Sequence, residues 1–119
     1  MKTLAITCPL FVNDLDAAIE FYTRLLGQSV QRRFAVAAKG IEVARIGDVL
    51  LIGGPDKALA PLRAISATLR VDTLDEYVAF LRQQGAVFVQ EPMTTPVGRN
   101  MIVRGADGVT LEYVELRDQ

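Results

Sequence analysis

The strongest constraint on this chain is an internal repeat. Leu15, Asp16, Ile19 and Phe21 recur as Leu74, Asp75, Val78 and Phe80, at a constant offset of 59 residues. Asp48 and Asp107 keep that offset, and Gly27 matches Gly85 after a slip of one. Two amphipathic helices can look alike by chance, but chance gives no reason for the offset to persist from helix into strand. Self-similarity at a fixed spacing marks a repeated supersecondary unit. In 119 residues two such units make one domain, with module 1 at about 1–55 and module 2 at about 64–119.

Each half spells the same order of elements. Leu4 to Val12 is rich in strand formers, and Asn13 and Asp14 then offer helix N-caps. Leu15, Ala18, Ile19, Tyr22, Leu25 and Leu26 recur at helical spacing, and Gly27 supplies a stop. Three strands are expected next, over Ser29–Val36, Ile41–Ile46 and Val49–Ile52. Residues 53–63, with Pro55 and Pro61, read as a loop. The pattern then restarts with a strand over Ala64–Val71 and a capping box, Thr73-Leu74-Asp75-Glu76. Leu74, Tyr77, Val78 and Leu81 define a second helix, which Gly85 closes. Strands over Ala86–Gln90, Arg99–Arg104 and Val109–Leu116 complete the half, with Pro92 and Pro96 marking a loop. The expected class is α+β, with strand-helix-three strands occurring twice.

Composition removes several chemistries. The chain has no histidine and one cysteine, Cys8, so one chain supplies no imidazole ligand, no His-based triad and no thiolate zinc site. Thirteen basic residues against fourteen acidic ones argue against a nucleic-acid partner. No apolar run has the length of a membrane span, and the N-terminus lacks the features of a secretory signal. A lone cysteine suits a reducing compartment. The expectation is a soluble, cytoplasmic protein, with Cys8 pointing toward the helix layer as a buried, inert thiol.

The segment Phe11-Val12-Asn13-Asp14-Leu15, followed by Phe21-Tyr22 and Leu25-Leu26-Gly27, resembles the first strand-to-helix segment of the vicinal oxygen chelate superfamily. Asp107-Gly108-Val109-Thr110-Leu111-Glu112 resembles the D-G-x-x-x-E ending of the same superfamily, which includes glyoxalase I, extradiol dioxygenases and bleomycin-resistance proteins. The resemblance implies two βαβββ modules forming a cupped mixed sheet. It also implies up to four metal-ligand positions on the first and fourth strands of each module. Carried over here, these are Thr7, Gly53, Ser66 and Glu112. One carboxylate with two hydroxyls is a poor site for a divalent ion. The expectation is therefore no metal and no cofactor.

Alternation along the strands nominates the lining of the cup. If Glu112 faces inward, so do Thr110 and Val114, whereas Leu111 and Tyr113 face the helices. Thr7 brings Ala5, Pro9 and Phe11 with it, and Ser66 brings Thr68 and Arg70. Phe34, Arg99 and Met101 are further ligand-binding candidates whose facing alternation does not fix. Phe21, Tyr22, Phe80 and Tyr113 read as core, and Phe11 is the exception among the aromatics. Glu112 has two readings: a catalytic or ligand-binding carboxylate, or a glutamate paired with Arg70 or Arg99. Each arginine likewise either recognises an anion or serves as a strand-end charge. Three functions follow. The first is a metal-free protein that binds and sequesters a small molecule, as bleomycin-resistance proteins do. The second is an enzyme of the glyoxalase, dioxygenase or epimerase type that uses Glu112 as general base or partial metal ligand. The third is an interaction module with a filled cup. A homodimer is implied by the resemblance in each case.

Overall fold

The structure, a computed structural model, describes residues Met1–Asp118. Its class is α+β, and the βαβββ order occurs twice. β1 (Thr3–Val12), α1 (Leu15–Leu26), β2 (Arg32–Val36), β3 (Ile41–Ile46) and β4 (Val49–Gly53) make the first run. α2 (Asp56–Leu59) and a 3-10 turn (Ala60–Leu62) connect it to β5 (Ile65–Val71), α3 (Leu74–Gln83), β6 (Val87–Thr95), β7 (Gly98–Arg104) and β8 (Thr110–Leu116). The contacts divide into two compact units, one of Cys8–Ala64 and one of Met1–Thr7 with the chain from Ile65 onward.

In the Cys8–Ala64 unit the hydrogen-bonding order is β2-β3-β4 followed by the C-terminal half of β1. β1 and β4 run parallel, with Phe11 beside Ile52, and the other pairs are antiparallel. Parallel neighbours cannot be joined by a hairpin, so α1 makes the crossover. Asp14 caps this helix by accepting the Ala17 N–H at 3.1 Å. Gly27 ends it in the left-handed region at φ 65, where a side chain would be strained. The inward stripe of α1 buries Leu15 and Ala18 against Ala44, Ile46 and Leu51, with Leu10, Val12, Ile19, Tyr22 and Val49 around them.

The second unit follows the same plan. The N-terminal half of β1 pairs antiparallel with β5, and the order continues β8-β7-β6. Here β5 and β8 are the parallel pair and α3 is the crossover helix. Leu74, Tyr77 and Leu81 of α3 bury against Val71, Met101, Val103 and Tyr113. The rings of Tyr77 and Tyr113 lie 5.8 Å apart. The Tyr77 hydroxyl shares a 2.6 Å hydrogen bond with that of Thr3, as a buried phenol requires.

Phe21 and Phe80, expected in the core, are 58% and 44% exposed; four further local expectations fail for identifiable reasons. The segment read as a loop over 53–63 carries two helical turns, because Leu59 and Leu62 are buried and only a turn brings both inward. β6 runs through Pro92, which was read as loop. β6 is an edge strand with a register break between Gln90 and Met93, and a missing N–H is tolerated there. Cys8 is exposed rather than buried. The helix-facing side of β1 is left uncovered at Ile6 and Cys8, since α1 covers Leu10 and Val12. Finally, Thr73 makes no side-chain cap. The Leu74 N–H at the start of α3 is instead accepted at 2.8 Å by Glu115, reaching over from β8.

Glu115 is therefore both a cap and a charge partner. Arg99 donates to it at 3.0 Å and 3.3 Å and also reaches Asp75 at 3.2 Å. The Arg99 hydrogen bonds, followed by the Leu74 N–H, hold the Glu115 carboxyl below its ordinary value of 4.5 against the opposing effect of burial. Arg99 is correspondingly raised, chiefly by its bond to Glu115.

Two predictions follow from this packing. Met101 is fully buried, so Met101→Ala should cost about 2–5 kcal/mol in urea unfolding, whereas Phe21→Ala, at a residue 58% exposed, should cost less than about 1 kcal/mol. Glu115→Ala should cost about 1–2 kcal/mol through loss of the α3 cap. Because its folded pKa is depressed, the ionic contribution of Glu115 is complete above pH 4.5 and is lost as pH falls through the depressed value. Denaturant midpoints measured from neutral pH into the acid range should fall less steeply in Glu115→Gln than in the parent.

Candidate functional site

Register turns the second unit into rows of side chains that share a face. Thr7 stands beside Thr68, Thr68 beside Glu112, Glu112 beside Ile102, and Ile102 beside Gln90. The next row is Ala5, Arg70, Val114, Asn100 and Met93. Both rows lie on the face away from α3, because the intervening residues Leu69, Leu111, Tyr113, Met101 and Val103 pack in the α3 core.

Glu112 is the centre of this face. The Thr68 hydroxyl donates to its Oε1 at 2.9 Å. The Asn100 amide donates to its Oε2 at 2.9 Å. The Gln90 amide in turn donates to the Asn100 side-chain oxygen at 3.1 Å, which fixes the direction in which the Asn100 amide points. Thr68 and Asn100 are only 4% and 7% exposed, and Thr7, 5% exposed, donates its hydroxyl to the Thr68 carbonyl at 3.4 Å. Glu112 itself is partly exposed. The carboxylate is thus aimed by neutral donors on both oxygens, and no cation pairs with it among the described residues.

The residues nominated from sequence divide accordingly. Thr7, Thr68, Arg70 and Glu112 share the face. Arg99 does not: it stands beside Glu115 on the α3 side and forms its ion pairs there, so the alternative in which it neutralises Glu112 is corrected. No pair between Glu112 and Arg70 forms either: they stand one row apart, and Glu112 turns its oxygens toward Thr68 and Asn100. Met101 is also corrected, because it lies in the core against α3 rather than on the Glu112 face. Ser66 is exposed and falls at a register shift between Ile65 and Ala67, and Thr68 is the residue of β5 beside Glu112.

Phe11 and Phe34 belong to the Cys8–Ala64 unit. They end a row of Phe34, Val43, Ile52 and Phe11 on the face away from α1. The Arg63 guanidinium lies 5.8 Å from the Phe11 ring. In the same unit Asn13, Asp14, Asp16, Arg33, Glu42 and Gly54 are among the residues lining an open groove. Arg33 pairs there with Glu42 at 2.8 Å and Asp16 at 2.9 Å, and Asp14 is the α1 cap.

Asn100 and Gln90 belong to the Glu112 hydrogen-bond chain, and neither is nominated by the sequence. The available signal was a polar residue opening the otherwise apolar run Met101-Ile102-Val103. Three consecutive apolar residues hide which parity faces the helix, so the signal was ambiguous.

The four metal positions implied by resemblance do not make a divalent-ion site. Gly53 faces α1, where a Cβ would fall 2.8 Å from that of Leu15. Ser66 sits on the bulge, and both Glu112 oxygens already accept hydrogen bonds. No cluster of three or more His, Cys, Asp or Glu side chains occurs among the described residues. No helix among those residues is long and apolar enough to cross a membrane.

Comparison with known proteins agrees with this architecture. A solved structure of an uncharacterized protein from Methanosarcina mazei superposes with a TM-score of 0.93 at 44% identity, covering 100% of this chain and 97% of that one. Methylmalonyl-CoA epimerase from Mycobacterium tuberculosis shares the fold with a TM-score of 0.76 at 24% identity, over 96% of this chain and 89% of that one. The uncharacterized protein YwbC of Bacillus subtilis is 26% identical over 89% of this chain and 92% of its own length. Residues 4–113 match the Glyoxalase/Bleomycin resistance protein/Dioxygenase superfamily, and the chain belongs to it.

Proposed function

We propose that this protein binds a small molecule against the Glu112 face and does so without a divalent metal, as a sequestering member of its superfamily. The observation that carries the reading is the state of Glu112. A carboxylate that only stabilised the sheet would be expected to carry a cation, as Glu115 does with Arg99. Glu112 instead has its two oxygens oriented by neutral donors, Thr68 and Asn100, with no cation beside it among the described residues. An oriented, uncompensated carboxylate is ready to accept a proton donor or a cationic group from a ligand. The poor donor set around it supports metal-independent binding.

The same observation favours one second reading. An aimed carboxylate without a counter-ion is also what a general base needs, and one protein of this fold is a methylmalonyl-CoA epimerase. Glu112 would then abstract a proton from an acidic C–H or O–H.

Two measurements separate these possibilities. Calorimetric titration of manganese, nickel and zinc into untagged protein should show no stoichiometric uptake; one tight ion per chain, lost in Glu112→Ala, would overturn the metal-independent reading. A fragment screen read by the side-chain amide resonances of Asn100 should return ligands whose affinity falls about tenfold or more in Glu112→Gln. If those ligands also exchange a carbon-bound proton with deuterated solvent, and Glu112→Gln stops the exchange, the general-base reading replaces sequestration. Hits that leave the Asn100 amide unmoved would place binding elsewhere.

A further inference from the structure

We infer that the ligand is a small organic anion, with its carboxylate or phosphate held by Arg70 and a proton-donating group held by Glu112. The inference rests on the binding face proposed above and specifies what that face accepts. Arg70 shares the face with Glu112, one row away. Its Nε is buried and has no hydrogen-bond partner. Buried donors are nearly always satisfied, so an orphan on a candidate binding face is a place for an outside acceptor.

The surroundings explain why the protein leaves it unsatisfied. The neighbours of Arg70 in its row are Ala5 and Val114, which offer no side-chain acceptor. Asn100, further along the row, already accepts from Gln90 and donates to Glu112. Glu112 stands one row away and turns its oxygens toward Thr68 and Asn100. Other arginines of the chain behave differently: Arg33, Arg63, Arg82 and Arg99 each have a carboxylate partner. Arg70 forms no ion pair among the described residues.

Chemistry and spacing then set the class of ligand. A guanidinium presents a planar fork of donors that matches the two oxygens of a carboxylate or phosphate. Glu112, as an acceptor, requires a hydroxyl, an ammonium or an acidic C–H. The two rows are two residues apart along the strands, or roughly 7 Å at 3.3 Å per residue. A molecule bearing both groups a few bonds apart can reach both rows. Ala5 and Val114 give its middle part an apolar wall.

The test uses three probes of similar size: 3-hydroxybutanoate, glycerol phosphate and the neutral 1,3-butanediol. Each is titrated into 15N-labelled protein while the Arg70 Nε–H and the Asn100 side-chain amide are followed by NMR. At least one anion should move both resonances saturably and bind about tenfold or more tightly than the diol. Which anion does so decides between carboxylate and phosphate. Arg70→Met should reduce the anion to the affinity of the diol. Arg70→Lys, which keeps the charge and loses the fork, should fall between them, and its thermal transition controls for folding. Equal binding of diol and anion, or shifts at Asn100 that leave Arg70 unmoved, would overturn the anion assignment while the Glu112 face still stands. Anion binding that moves Arg70 but survives Glu112→Gln undiminished would sink the proposed pairing with Glu112. If none of the three moves Arg70 at the highest soluble concentration, the anion assignment fails. The Asn100 readout of the fragment screen decides the face independently.

Discussion

The parallel pairing of β5 with β8 is the constraint on which the site depends. These strands lie more than forty positions apart in sequence, yet Thr68 stands beside Glu112 and Arg70 beside Val114. A parallel pair needs a crossover, and α3 supplies it by covering one face of the unit. Once that face is filled by Tyr77, Leu81, Met101 and Tyr113, alternation sends every second residue of β5, β7 and β8 to the other side. A one-residue slip would bury Glu112 under α3 and expose Tyr113. The packing that stabilises the helix layer therefore also fixes the register of the polar face.

Two glutamates on β8 show how that register divides labour. Glu112 and Glu115 are three residues apart, an odd separation, so they occupy opposite faces. Glu115 meets Arg99 and the first turn of α3, and its charge is neutralised by partners that hold the helix to the sheet. Glu112 meets a hydroxyl and an amide. Neutral donors restrain a carboxylate without cancelling its charge, whereas an arginine restrains it and neutralises it. The first arrangement keeps a group available for chemistry, and the second uses it for stability.

Much of this was legible in the sequence. The duplication, the two amphipathic helices and the strand order all emerge from periodicity, because helix-facing positions must be apolar to be buried. The facing of Glu112, Leu111 and Tyr113 was also readable, since charge and aromatic alternate cleanly there. What was not legible is where alternation is interrupted. The bulge at Ser66 shifts the pairing of β5 with β8 by one residue, which a fixed offset cannot register. Counting a fixed offset across strands of unequal irregularity placed Gly53 opposite Glu112 in role, although its backbone lies tight against Leu15. The run Met101-Ile102-Val103 concealed the parity of Asn100. The cap of α3 comes from a strand forty positions away, and no local capping pattern can reveal a partner supplied by tertiary structure.

The repeat is unequal in an informative way. Of its preserved positions, Leu15 with Leu74 and Ile19 with Val78 face inward from their helices, where volume and apolarity are fixed by packing, whereas Asp16 with Asp75 and Phe21 with Phe80 are exposed. The opposite faces are free of that constraint and have different chemistry. One row of the Cys8–Ala64 unit reads Phe34, Val43, Ile52 and Phe11, entirely apolar. The corresponding row of the other unit reads Thr7, Thr68, Glu112, Ile102 and Gln90. Two copies of one scaffold thus carry an apolar row in one unit and a polar row with an aimed carboxylate in the other, although Arg32 and Arg45 stand in the row beside Phe34 and Val43. A fold specified by its helix-facing residues leaves the remaining faces to be written independently. Here the carboxylate aimed by neutral donors lies in one half, which is where the proposed ligand's polar groups are placed.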